Sequence, residues 1–439
     1  MKFSLFVLLT LTFVTPGFSQ DNSQPQTSDN TQETAPAALI GARPSLQPLS
    51  ERISPNYVAG GIAISQLYSD NAELTPTQPV SDFSYNITPH IALNSSTVRS
   101  SISLDVLAGF LVNRTLDDRN QATQTGGLDV TYRLAQFVNF RASDQFTNST
   151  GLWSGAGSGS TTSGSGIGVV QQPNSVFTYG KYRTNLALVE LSGQLSADSY
   201  AGIRGTDTYL WFPADASDPV VGTLYGGNSY SAEAFYNHHF TTRNWGGITL
   251  RAQRFDLSNS LGHTDAAGIL FMYAFNFHAN SSLSFFAGPE LSVTSTPQGT
   301  VIPIPAFEHR FWSPAAGAVF NWQGQRTGAM ASFTHQVSNG GGLYSAVTLT
   351  SAEVQLQRHV GLRWEFGPAF AFAQDDTIVP SPSIRTYSGQ LQSAYRVGNY
   401  AFGAGYARDE RDASAGSLTA SANRVWISFS YDFIRTLGR

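Results

Sequence analysis

Fifteen charged residues share one placement: Asp105, Asp129, Arg133, Arg141, Glu190, Arg204, Glu233, Arg251, Glu290, Glu353, Arg363, Glu365, Arg396, Arg424 and Asp432 each fall on the polar phase of a stretch whose alternate residues are apolar. Eight are acidic and seven basic. Lining a wet interior, such a set would lay a transverse field across a passing solute and filter it by size and polarity. The same residues would equally serve as a ladder of pairs that neutralise one another and tie a wall together. The near balance of sign argues against strong selection of either anions or cations.

Covalent and metal chemistry find no footing. His238 and His239 are adjacent, so on a strand they point to opposite faces and cannot share a metal ion. His90, His263, His278, His309, His335 and His359 are scattered, and no Ser/His/Asp set assembles by spacing. The chain has no cysteine, which excludes disulfides, thiolate ligands and thiol catalysis. The pairs Asp117-Asp118, Asp375-Asp376 and Asp409-Glu410 read as solvated loops, with a divalent ion as the sharper alternative. The Gly/Ser run over 154–168 precedes no helix, so it forms no phosphate cradle. A non-enzyme without cofactor or metal is expected.

The elements that hold the charges are strands. Phe83, Tyr85, Ile87, Pro89, Ile91 and Leu93 alternate with Ser84, Asn86, Thr88, His90 and Ala92; Leu362, Trp364, Phe366, Pro368, Phe370 and Phe372 alternate with Arg363, Glu365, Gly367, Ala369 and Ala371. Strand side chains point alternately to two faces, so each strand carries one apolar and one polar face. Sustained over the chain, this predicts an all-β fold, a transmembrane antiparallel up-and-down barrel with lipid outside and water inside. Aromatic residues gather towards strand ends: Tyr132, Phe277, Trp322, Tyr395, Tyr400, Tyr431 and Phe433 at one side, Phe83, Phe110 and Tyr406 at the other. Rings of this kind favour the headgroup level. Some inward positions are apolar (Leu107, Phe235, Leu270, Met272, Phe286, Trp426) and would narrow a pore or meet an inward-folded loop.

Connections alternate in length. Short turns are expected near Asn94–Thr97, Ala135–Phe137, Leu195–Ser199, Thr241–Trp245, His278–Ser282, Gln323–Arg326, Gln357–Val360 and Val397–Asn399. Long ones are expected near Ser69–Ser81, Asn113–Thr125, Ser149–Phe177, Pro213–Asn228, Asn259–Thr264, Thr296–Glu308, Asn339–Gly342, Gln374–Ser383 and Asp412–Thr419. Counting between them, with Asn56–Tyr68 as the first strand, predicts eighteen strands, sixteen being the alternative. The longest connection, Ser149–Phe177, reads as a flexible surface loop, with a constriction folded into the barrel as its alternative. Pro289 and Pro368 should mark bends, since proline cannot complete a ladder.

Residues 1–19 read as a secretory signal: Lys2, an apolar run from Phe3 to Val14, and a small-residue exit at Pro16-Gly17-Phe18-Ser19. Residues 20–54 are rich in Gln, Ser, Thr and Pro and are expected to be a disordered periplasmic tail. The barrel is assigned to 55–433 and a short tail to 434–439. Charged residues make up only 13%, against about 25% in a typical soluble domain. The net charge of -5 argues against nucleic acid as a partner.

The signal, the hairpin rhythm and a last strand with Phe429, Tyr431 and Phe433 resemble Gram-negative outer-membrane β-barrels of the porin size class. In those proteins the terminal aromatics are an insertion signal; here six residues, Ile434 to Arg439, follow Phe433. The resemblance implies residence in the outer membrane with both termini periplasmic. It also implies contact with lipid and lipopolysaccharide, and with the barrel-insertion machinery. A porin-like passive diffusion channel for small hydrophilic solutes is the expected function. The alternative is a non-channel barrel of an envelope export or polysaccharide-secretion assembly. A homotrimer would use a small-residue outer patch at Ala316, Ala318, Ala329 and Ala331.

Overall fold

The computed structural model describes residues 56–117, 120–150, 181–212, 217–218, 222–223, 225–257, 262–278, 280–296, 307–340, 344–377, 383–413 and 418–436. The expected signal, the 20–54 tail and the Gly/Ser run over 154–168 lie outside the described residues. Twenty strands follow in order: β1 (Tyr57–Ser69), β2 (Asp82–Ser96), β3 (Ser100–Asn113), β4 (Gln121–Ala135), β5 (Val138–Thr150), β6 (Lys181–Ser196), β7 (Ser199–Trp211), β8 (Ser217–Asp218), β9 (Gly222–Thr223), β10 (Gly227–His239), β11 (Asn244–Leu257), β12 (Gly262–His278), β13 (Ser281–Thr296), β14 (Phe307–Gln323), β15 (Thr327–Gly340), β16 (Tyr344–Val360), β17 (Trp364–Thr377), β18 (Ile384–Val397), β19 (Tyr400–Ala413) and β20 (Leu418–Thr436).

Eighteen of them, β1–β7 and β10–β20, make one antiparallel sheet. The strands β8 and β9 pair only with each other, inside the β7–β10 connection. The sheet closes because β20 runs along β1 from Tyr57↔Thr436 to Ser69↔Arg424, while β2 lies on the other side of β1 with Ala92 packed on Ala59. The expected eighteen-strand up-and-down barrel is therefore the fold of this chain. Closure leaves the sheet no free end strand, which is how an apolar outer surface is carried without an open edge.

Barrel strands run from 13 to 19 residues. About 9–11 suffice to cross a hydrocarbon core, so the strands project beyond it. Outward residues such as Ile248, Leu250, Ile269, Phe271, Val425 and Ile427 are exposed, and their inward neighbours Thr249, Arg251, Leu270 and Trp426 are buried. Outward charges collect at the strand ends that bear long connections: Arg254 with Asp256 and Asp265, Arg310 with Glu308, and Arg408 with Glu410. Asp144 and Asp207 depart from this pattern, facing outward on either side of Ala187.

Several boundaries differ from expectation, since β4 begins at Gln121 and β17 runs to Thr377, inside connections expected to be loop. The turn placed at Gln357–Val360 is strand, because β16 continues to Val360 and reverses at Gly361–Arg363. Gly361 there has φ +65°, a left-handed conformation that glycine adopts without a Cβ clash. The last strand passes Phe433 and stays paired to β1 through Thr436.

The strand prolines interrupt ladders one side at a time. Between β2 and β3 pairing skips from Ile87↔Phe110 to His90↔Leu107 around Pro89. Between β12 and β13 it skips from Gly268↔Glu290 to Phe271↔Ala287 around Pro289. Between β16 and β17 it skips from Gln355↔Ala369 to Arg358↔Phe366 around Pro368. Each proline lacks the amide hydrogen that its neighbour would accept. At the second gap the backbones crowd: a Cβ on Gly288 would lie 1.8 Å from the Ile269 carbonyl oxygen. Gly288→Ala is expected to cost about 1–3 kcal/mol through this overpacking, read as a lower temperature for loss of the compact band on a gel.

Candidate functional site

The inner wall carries an arc of alternating charge from β5 to β13. Arg141 on β5, Glu190 on β6, Arg204 on β7, Glu233 on β10 and Arg251 on β11 are consecutive register partners. The arc continues through Gly268 on β12 to Glu290 on β13. One face of neighbouring strands thus places opposite charges side by side, where cross-strand pairs stabilise a sheet. Arg204 binds Glu190 at 2.7 Å and Glu233 at 3.3 Å, all three side chains nearly buried. Arg251 reaches Glu290 at 2.8 Å across one intervening strand, because Gly268 between them has no side chain. At the β5 end, Arg141 turns to Asp129 of β4 at 2.7 Å and stays about half exposed. Opposite charges on adjacent or next-nearest strands are thus in contact along this stretch of wall.

A second group lines the inner face of β2 and β16–β20. Glu365 accepts from Gln357 Nε2 at 2.7 Å and lies 3.6 Å from Arg396. His90 Nε2 is 3.1 Å from Asp432. Arg424 pairs with Asp409, which also accepts from Ser388 Oγ at 2.8 Å. Asp105 and Glu353 are likewise buried on the inner side, and Arg133 is half-buried there. Arg363 is the exception: it sits exposed in the β16–β17 turn, donating to Tyr395 Oη at 3.2 Å.

His90, Asp409, Arg411 and Asp375 were not among the expected wall charges. Asp375-Asp376 and Asp409-Glu410 were read as loops, but they lie on β17 and β19, where adjacent residues face opposite ways. Asp375, Asp409 and Arg411 are buried inside. Neither pair can offer both carboxylates to one ion. The missed signal was the inward parity of Asp409 and Arg411, which continues that of Ala407 beyond the apolar belt.

The inner face also carries apolar residues. Leu270, Met272, Phe286, Trp245, Ala274 and Ala315 pack together near the short-turn end. Phe235 and Trp426 are buried elsewhere on the inner wall. On the outer face, the expected small-residue patch is interleaved with rings: Ala318 faces Phe333, Ala331 faces Phe320 and Ala329 faces Trp322.

The β14–β15 seam opens partway up. Pairing runs from Gln323↔Gly328 to Ala316↔His335 and stops there, although β14 continues paired to β13 and β15 to β16. Pro314, two residues above the last pair, has no amide hydrogen for β15. The freed end of the β15–β16 hairpin lies against the inner wall instead. Val337 and Ala346 bury themselves with Phe255 of β11 and Ala266 of β12, and Phe311 of β14 packs on the same cluster. Gln336 Oε1 accepts from Arg251 Nη1 at 3.1 Å. The Val337 amide donates to Glu290 Oε2 at 3.1 Å. The carboxylate that binds Arg251 thus also takes a backbone donor of the parted strand.

Among the described residues no three His, Asp or Glu side chains gather as a metal site. No described protein family and no curated protein matches the chain. Among solved structures it is similar to OccAB3 of Acinetobacter baumannii, at 10% identity and TM-score 0.43, over 87% of this chain and 100% of that one. It is similar to the outer membrane protein opdK of Pseudomonas aeruginosa, at 9% identity and TM-score 0.43, over 86% and 99%. It is also similar to OccK2 (OpdF) of Pseudomonas aeruginosa solved with glucuronate, at 10% identity and TM-score 0.43, over 87% and 99%.

Proposed function

We propose that this chain is a porin-like passive diffusion channel of the bacterial outer membrane, admitting small hydrophilic solutes. The observation that carries the reading is the pairing of a closed eighteen-strand barrel with exposed apolar side chains outside and ion-paired polar ones inside. Barrels of this strand number are wide enough to enclose an aqueous path. Because the inner charges neutralise one another, the path discriminates by size and polarity more than by sign. The Arg141–Asp129 pair at the exposed end of the arc is where a solute meets accessible charge.

The start of β1 and the end of β20, Tyr57 and Thr436, lie side by side at the short-turn end, which this reading makes periplasmic, and the outer wall contacts lipid and lipopolysaccharide. Phe429, Tyr431 and Phe433 sit on the outward phase of β20, with Phe429 and Tyr431 against Tyr400, as an insertion signal read by the assembly machinery requires. A homotrimer built on Ala316, Ala318, Ala329 and Ala331 would have to pack around Phe320, Trp322 and Phe333, which stand opposite three of these alanines. One observation favours a non-conducting envelope component instead: the hairpin end folded into the lumen.

Planar-bilayer recording separates the two. Purified, folded protein is expected to give discrete steps with nearly equal cation and anion permeability. Steps are expected to be smaller than the barrel's width would allow. A folded, heat-modifiable barrel that never conducts would remove the channel reading.

A further inference from the structure

We infer that the free end of the β15–β16 hairpin is a built-in constriction of the lumen, held there by Glu290 and Arg251. Its position, rather than the arc of charge as a whole, sets how much passes. The functional half of this inference rests on the channel reading above; the structural half does not.

Three observations converge. First, the wall lets the hairpin go: pairing with β14 ends at Ala316↔His335, beside Pro314. A proline at that point removes the donor that would carry the ladder further. Second, the outward phase of the hairpin end is apolar where it needs cover. Val337 belongs to the same phase as Phe333, which faces outward, yet Val337 is buried with Phe255 and Ala266 on the inner face of β11 and β12. Third, the released backbone has a substitute partner. The Val337 amide donates to Glu290 Oε2, and Gln336 accepts from the arginine that Glu290 orients. A buried carboxylate holding both an arginine and a backbone donor is a charge-assisted anchor. Glu290 and Arg251 are thus positioning residues: they act on the path through the hairpin.

An alternative seat for the hairpin can be read from the register. Continuing the β14–β15 pairing upwards would set Asn339 opposite Trp312, with the wall complete and the lumen cleared. The two seats predict different cysteine pairs, and the chain has no cysteine of its own. Ala266→Cys with Ala346→Cys reports the inward seat. Trp312→Cys with Asn339→Cys reports the wall seat.

In the folded full-length barrel, oxidation is expected to link the first pair and to leave the second largely unlinked. Glu290→Gln is expected to slow the first link severalfold and to speed the second. Pro314→Val, which gives β14 its missing donor without touching the anchor, should do the same. Both variants should conduct severalfold more in planar bilayers, and linking Ala266→Cys to Ala346→Cys in the Glu290→Gln chain should return conductance to the parental level. If the folded parent links Trp312→Cys to Asn339→Cys and not the inward pair, the inference is overturned. It is also overturned if the inward link survives both substitutions at its original rate. If no chain conducts while the links still shift as described, the channel reading fails and the anchoring by Glu290 stands.

Discussion

Arg204→Met is expected to destabilise the folded barrel by about 3–5 kcal/mol, the usual cost of breaking a buried ion pair by removing one partner. Arg204 stands between Glu190 and Glu233, and its side chain is 7% exposed. Without it two buried carboxylates remain on the strands that flank β7, with no cation between them. Each would keep its desolvation penalty and lose its compensation. The triple replacement Glu190→Gln, Arg204→Met, Glu233→Gln should recover most of the loss, because no buried charge is left unpaired. Urea titration of the protein folded into lipid vesicles measures both. Equal stability of Arg204→Met and the parent would mean that water, not the carboxylates, solvates this arginine.

Phe271→Arg is expected to cost about 2–4 kcal/mol in the same titration, the penalty for a basic residue at the bilayer midplane. Phe271 faces outward from β12, seven residues above the short turn at His278, and is 56% exposed. Phe277→Arg, on the same face beside the turn, should cost only about 0–1 kcal/mol, since depth governs the penalty. The contrast matters more than either value. A soluble barrel would tolerate both changes alike, because an exposed phenylalanine in water loses nothing on becoming charged. Matching costs at the two positions would therefore count against a membrane-facing wall.

Much of the wall was legible because its information is local. Period-two alternation assigns a face to each residue without reference to any other strand. Turn-forming residues and the alternation of short and long connections then number the strands. The alternation failed where it met no boundary signal. The turn at Gly361–Arg363 lies inside an unbroken apolar rhythm, so Arg363 was placed on the wall. Asp375 and Asp409 lie on strand extensions above the apolar belt, where polarity alone looks like loop.

By itself, then, the sequence determined which face most strand residues take and the count of eighteen strands over sixteen, while the inner charges it named lose Arg363 and gain Asp375, Asp409 and Arg411. Only the tertiary structure decided which charges meet. Register between strands is set by the whole closed sheet, and it alone brings Arg141, Glu190, Arg204, Glu233, Arg251 and Glu290 to one level. It also decided where the wall parts. A proline's missing hydrogen is local, but the consequence depended on a buried carboxylate on β13 waiting within reach of the Val337 amide. Two residues forty-seven positions apart in the chain share no pattern that a single strand could carry.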